Sequence, residues 1–235
     1  MDYSLDYSSQ RIAAEASADA RATFIRKTYG HLAGAILAFA IIETLLVQLT
    51  PPDVIRDVFF NRVGMIALMI GFVGVAWVAN SWAMSGASRG KQYAGLALYV
   101  VAEAVIFLPL MFIAANFAPD ILPKAGIMTL AMFAGLTVAC FVTKTDFSFL
   151  RSILVVGGFL ALGFVVVAMV MGMDVGNWYS FAMVALASGY ILYDTSNVMY
   201  RYRTDQYVAA SLALFASVAL LFYYIVRIFL MSRRN

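Results

Sequence analysis

Hydrophobic and polar positions in this chain alternate by whole segments, not residue by residue. Apolar runs of about 20 residues, each long enough to cross a hydrocarbon core of roughly 30 Å as a helix, are separated by short polar connections. Seven such spans are predicted, at 29–49, 63–83, 92–116, 125–143, 152–173, 177–198 and 207–231. Thr50-Pro51-Pro52 closes the first, because proline lacks the N–H that would continue the helix. Pro109 falls inside the third, where a membrane helix tolerates a kink if neighbours satisfy the freed carbonyl. The pattern therefore predicts an all-α fold, a polytopic membrane protein. Residues 1–28 form a polar N-terminal tail with at most a turn or two of helix, and 29–235 form a seven-helix transmembrane domain.

Composition narrows the functional classes. Hydrophobic residues make up 63% of the chain and charged residues only 12%, which does not describe a soluble core. The first apolar run begins after a polar tail and has neither the length nor the flanks of a cleavable signal, so it is read as the first span. The single cysteine, Cys140, cannot form an intramolecular disulfide and is read as buried packing. One histidine, His31, with no Cys/His cluster leaves a structural zinc site without ligands. The net charge of +3 is spread over the span flanks, and no basic-aromatic array suggests nucleic acid. The lipid bilayer is the partner that the composition implies, and the oligomeric state is left open.

Charge also orients the chain. One side collects ten Lys and Arg (Arg11, Arg21, Arg26, Lys27, Arg89, Lys91, Lys144, Arg151, Arg201 and Arg203), the other six (Arg56, Arg62, Lys124, Arg227, Arg233 and Arg234). The excess predicts a cytoplasmic N-terminus, with the basic C-terminus pulling the other way. Small residues at Gly30 and Gly34, at Gly157, Gly158 and Gly163, and at Ala182, Ala185 and Gly189 predict close helix packing.

Three carboxylates fall inside predicted spans: Glu43, Glu103 and Asp194. An ionisable group there is costly unless it is paired, protonated or wetted, which makes each a functional-site candidate. Tyr190, Asp194, Asn197 and Arg201 are spaced i, i+4, i+7 and i+11, which predicts one polar face on the sixth span. Asp194 is read either as a titrating group or as a hydrogen-bonded structural one. Glu103 lies about eleven residues, roughly 16 Å, into the third span, near the midplane, and is a candidate for an ion path or a pH-sensing group. Glu43 and Arg227 are expected at similar outer levels of the first and seventh spans and form a candidate ion pair. There is no Gly-x-x-x-x-Gly-Lys motif, no base set for a serine nucleophile and no second intramembrane Asp, so neither catalysis nor a cofactor is implied.

Three stretches carry a resemblance. Lys144-Thr-Asp146-Phe-Ser148-Phe149-Leu150, then Ile191-Leu192-Tyr193-Asp194-Thr195-Ser196-Asn197, then Ser211 to Phe215 running on to Arg227, resemble the Bax inhibitor-1 (transmembrane Bax inhibitor motif) family. The resemblance implies a seven-helix bundle whose final helix is central. It implies one of two functions: a pH-sensitive calcium leak, or, in the bacterial YccA-like branch, modulation of the membrane-anchored protease FtsH. Asp194 matches the sixth-span aspartate of the leak's proton-sharing pair. The seventh-span partner position, ten residues before Arg227, is Ser217, and the second span has no arginine to serve as the latch. With the run Asp194 to Val198, these departures look more like the YccA branch. The first reading is thus a non-enzymatic FtsH modulator of the bacterial inner membrane. The alternative is a calcium, cation or proton leak through Asp194 and Glu103, with calcium as the transported ion.

Overall fold

A computed structural model describes residues 11–86, 88–173 and 175–233. Its seven long helices are α1 (Ala18–Leu49), α2 (Arg62–Ala83), α3 (Arg89–Phe117), α4 (Ile121–Thr143), α5 (Leu150–Met171), α6 (Asn177–Tyr200) and α7 (Tyr207–Ser232). Helix α1 starts well before the predicted span. The Ser17 side chain accepts from the Ala20 N–H, Asp19 complements the positive end of the helix, and Phe24 and Thr28 are already buried. Residues 18–28 of the predicted tail are therefore helical, and residues 1–10 lie outside the described residues. Helix α1 ends at Leu49, immediately before Pro51 and Pro52. Helices α4 and α5 end on left-handed residues, Lys144 (φ 51°) and Gly172 (φ 67°). Helix α3 continues through Pro109.

Burial ranks the helices. Fifteen of the 26 residues of α7 are buried, whereas α2 buries only Ala79 and Ala83, and α5 only Leu154 and Ala168. Helix α7 packs on α1, α2, α3, α4 and α6, which makes it the axis of the bundle. The apolar outer faces include Ile70 and Trp77 of α2 and Phe159 and Leu160 of α5, all widely exposed and suited to lipid.

Six of the seven helices are both long and apolar enough to cross a membrane. The exception is α6, which the sequence counts as a span. Its 24 residues reach about 36 Å, but it carries the polar run Asp194-Thr195-Ser196-Asn197, all four residues buried. Those groups face protein, so a low hydropathy does not expose them to lipid. Helix α6 also runs antiparallel along the length of α7: Tyr179 stacks edge-on to Tyr224 near one end, and Asp194 meets Ser217 further along. Whatever α7 crosses, α6 crosses with it.

The seven long helices sort the connections to two ends. The tail pairs with the α6–α7 connection, Ala13 N–H donating to Tyr202 O (2.8 Å) and Thr204 N–H to Arg11 O (3.1 Å). The α2–α3 connection reaches the same place, since Arg89 donates to Asp205 O. So does the α4–α5 connection, where the Tyr200 hydroxyl donates to Lys144 O. At the far end Arg233 bonds Asp120 at 2.7 Å. The ten basic residues grouped on one side by the sequence all lie at or near the tail end. Arg56, Arg62, Lys124, Arg227 and Arg233 lie towards the far end, and Arg234 lies outside the described residues.

Candidate functional site

The fourfold polar run of α6 cannot face lipid, so it turns inward, and this places Asp194 against the central helix. Asp194 is 8% exposed. Ser217 of α7 donates its hydroxyl to Asp194 Oδ2 at 2.5 Å. The resemblance put Ser217 opposite Asp194, and the structure brings the two into contact. Glu103 of α3 is likewise buried, 7% exposed. Tyr99, one turn earlier on α3, has its hydroxyl beside the Glu103 carboxyl and within electrostatic reach of Asp194. No Lys or Arg forms an ion pair with either carboxyl among the described residues. The result is two buried acids on two helices: Glu103 with a phenol one turn away on its own helix, and Asp194 braced on α7 through Ser217. Tyr99 was not singled out from the sequence, where it reads as one aromatic among many. Its position one turn before an intramembrane Glu was the available signal.

The shared face predicted for Tyr190, Asp194, Asn197 and Arg201 does not hold as one cluster. Helix α6 is wedged between α5, α4 and α7, so successive turns meet different neighbours. The Tyr190 hydroxyl donates to Leu154 O of α5 at 2.8 Å. Arg201 pairs with Asp146 at 3.2 Å. Asn197 is buried, and its Oδ1 has no hydrogen-bond partner among the described residues.

The predicted Glu43–Arg227 pair does not form. Arg227 donates to Val175 O at 2.5 Å and lies 5.9 Å from the centre of the Tyr179 ring. Glu43 instead faces the α7 stretch Phe215–Phe222. Arg227 comes five residues later on the side turned to α6, so level and direction both separate the two. Both Glu43 carboxylate oxygens are buried without a hydrogen-bond partner among the described residues.

The first two stretches of the resemblance meet in space. Ser196 accepts from the Phe147 N–H at 3.0 Å and donates to Asp146 Oδ1 at 3.3 Å, while Asp146 also caps the Ser148 N–H. That backbone N–H foremost, with Arg201 adding to it, holds the Asp146 carboxyl below its ordinary pKa. The latch fixes the α4–α5 connection to the end of α6, about one turn beyond Asp194.

His31, isolated in sequence, belongs to a chain of polar contacts at the tail end. Its Nδ1 faces Lys27 O at 2.6 Å, and because a carbonyl only accepts, Nδ1 carries the proton. Its Nε2 then accepts from the Tyr93 hydroxyl (3.2 Å), which lies 3.1 Å from the Tyr207 hydroxyl. Lys27 and Arg89 both lie over the Tyr207 ring. Cys140 is a free, buried thiol.

A helical membrane bundle whose buried acids lie on helices packed around a central one defines the class: an all-α polytopic membrane protein with buried carboxyls. The profile of the family described as inhibitor of apoptosis-promoting Bax1 matches residues 21–235, and the chain belongs to that family. It is similar to a BI1-like protein of Arabidopsis thaliana, 29% identical over 217 residues, covering 87% of this chain and 79% of the relative. It is also similar to the Bax inhibitor 1 of Schizosaccharomyces pombe (27% over 240 residues; 94% and 81%) and to an uncharacterised protein of Pseudomonas aeruginosa (26% over 208 residues; 87% of each).

Proposed function

We propose that this protein is a non-enzymatic, acid-responsive cation leak in which Asp194 and Glu103 exchange a proton for a passing cation. The observation that carries the reading is the two acids themselves: buried carboxyls on α3 and α6, Glu103 beside Tyr99 and Asp194 held by Ser217 of the central helix, with no basic partner in contact among the described residues. Ionised, they offer a cation a charged waypoint; protonated, they withdraw it. Calcium would be in transit here, because a resident calcium takes six to eight oxygen ligands, more than Asp194, Glu103, Ser217 and Tyr99 supply. Proteoliposomes holding a calcium indicator test it. Flux should fall on acidification, because protonation withdraws the charged waypoint, and the double variant Asp194→Asn/Glu103→Gln should lower the initial rate at least tenfold. Equal rates in the wild type and the double variant would remove both residues from any path.

One observation favours a second reading, a modulator of FtsH-type proteolysis in a bacterial inner membrane. The segment before α1 is docked on the α6–α7 connection through residues 11–13, at the tail end of the bundle. The basic excess at that end supports placing it in the cytoplasm, where a membrane-anchored protease could take hold of it. Deleting residues 1–10 should abolish co-purification of such a protease from native membranes and leave calcium flux untouched. Retention of the protease by the shortened chain would count against a tail-led interaction.

A further inference from the structure

Glu43 is the group that neither reading uses. It is 6% exposed, both of its oxygens lack partners, and it lines a cavity of about 470 Å³ between α1, α3, α4 and α7. The walls are apolar, with Phe39, Met111, Phe215 and Phe222 among them. The nearby hydroxyls are already committed to their own helices, Thr44 donating to Ala40 O and Thr129 to Ala125 O. A buried carboxylate with neither a cation nor a donor is strongly disfavoured, so Glu43 either keeps its proton or meets a positive group, and an entering base can supply that group by taking the proton.

The way in is from the side. Helices α1 and α4 touch through Tyr29 against Phe133 and Phe141, while the cavity opens nearer the far end, beside the exposed Thr44 and Gln48 of α1 and Leu130 of α4. An opening bounded by lipid-facing residues admits molecules already dissolved in the bilayer. The cavity is closed off from the Asp194–Glu103 site by Phe215, which lies edge-on to both Tyr99 and Phe39.

We propose that this cavity binds a lipophilic amine, its ammonium paired with Glu43 and its hydrocarbon body against the aromatic wall. A metal ion does not fit, because one carboxylate among apolar walls cannot replace its hydration shell. A neutral acyl chain would match the walls and leave Glu43 without a partner. The ion pair is the same whether the proton arrives on the amine or is handed over by a protonated Glu43. The site is independent of the leak reading, since it shares no carboxyl with it.

The test uses the full chain in phosphatidylcholine nanodiscs, with tritiated n-dodecylammonium as probe, n-dodecanol as its uncharged match and protein-free discs as background. The wild type should bind dodecylammonium saturably, at least tenfold more tightly than dodecanol, and Glu43→Gln should erase that preference. Gly126 lines the same cavity, and a Cβ there would meet nothing within 4 Å. Gly126→Leu should therefore fill the space without disturbing the bundle, keeping the melting temperature within a few degrees while saturable binding of both probes is lost. Three results would overturn the proposal: no saturable binding, equal affinity for the amine and the alcohol, or binding that Gly126→Leu leaves unchanged.

Discussion

Gly95→Ala should destabilise the bundle by about 3 kcal/mol, the upper end of the cost of overpacking. A Cβ at position 95 would lie 2.5 Å from Ala79 O and 2.8 Å from Ala83 N, both backbone atoms of α2. Side chains could swing away from such an intrusion; a helix backbone cannot, so α2 and α3 must separate. By the usual scaling this lowers the melting temperature by roughly 6–12 °C, read by thermal unfolding of the purified protein in detergent. Gly34→Ala is the matched control. A Cβ there meets nothing within 4 Å, and replacing a helical glycine that has room for a methyl group stabilises by about 0.4–1 kcal/mol. Opposite signs for two glycine-to-alanine changes would locate the packing constraint at α2–α3; a neutral Gly95→Ala would show that the two helices can slide apart freely.

The same contrast shows where the sequence was legible. Spacing alone marked Gly30 and Gly34 as a packing seam, yet no helix lies on them, and Gly95, which carries the closest approach between α2 and α3, was passed over as one glycine in an apolar run. On α5 and α6 the spacing worked in part: a Cβ at Gly157 would lie 2.9 Å from Leu186 and one at Gly158 2.7 Å from the Tyr190 hydroxyl, whereas one at Gly163 would meet nothing within 4 Å. Small residues say that a helix can be approached, not which helix approaches it. The spans themselves were readable because lipid imposes a length and an apolar composition on each. Helix α6 is the instructive case, since its length made it a span while its buried polar run gave it a hydropathy below that of the others. The candidate acids were equally visible, because an Asp or Glu in such a run stands out. Their partners were not legible from spacing alone: Ser217 was placed opposite Asp194 only through the family resemblance. Tyr99 reaches Glu103 from within one helix, but Ser217 reaches Asp194 across two, and the separation of Glu43 from Arg227 depends on the rotation of α7, which no one-dimensional pattern records.

Asp194→Asn and Ser217→Ala should separate charge from bracing at the centre of the bundle. Asparagine keeps an oxygen in place to accept the Ser217 hydroxyl and removes only the ability to ionise, so the fold should lose no more than about 1 kcal/mol. On the leak reading its flux should nonetheless fall at least tenfold and lose the part of its pH response that belongs to Asp194. Ser217→Ala does the converse: it leaves the carboxyl ionisable and deletes the hydroxyl that donates to Asp194 Oδ2 at 2.5 Å. Leaving that buried oxygen unsatisfied costs about 1–3 kcal/mol, seen as a lower melting temperature, while flux per folded molecule should stay within a few-fold of wild type. The diagnostic is the crossing of the two effects, with stability falling in one variant and transport in the other. If transport instead followed stability in both, Asp194 would be a brace between α6 and α7, and the acid-responsive role would pass to Glu103, whose carboxyl keeps its own partner in Tyr99.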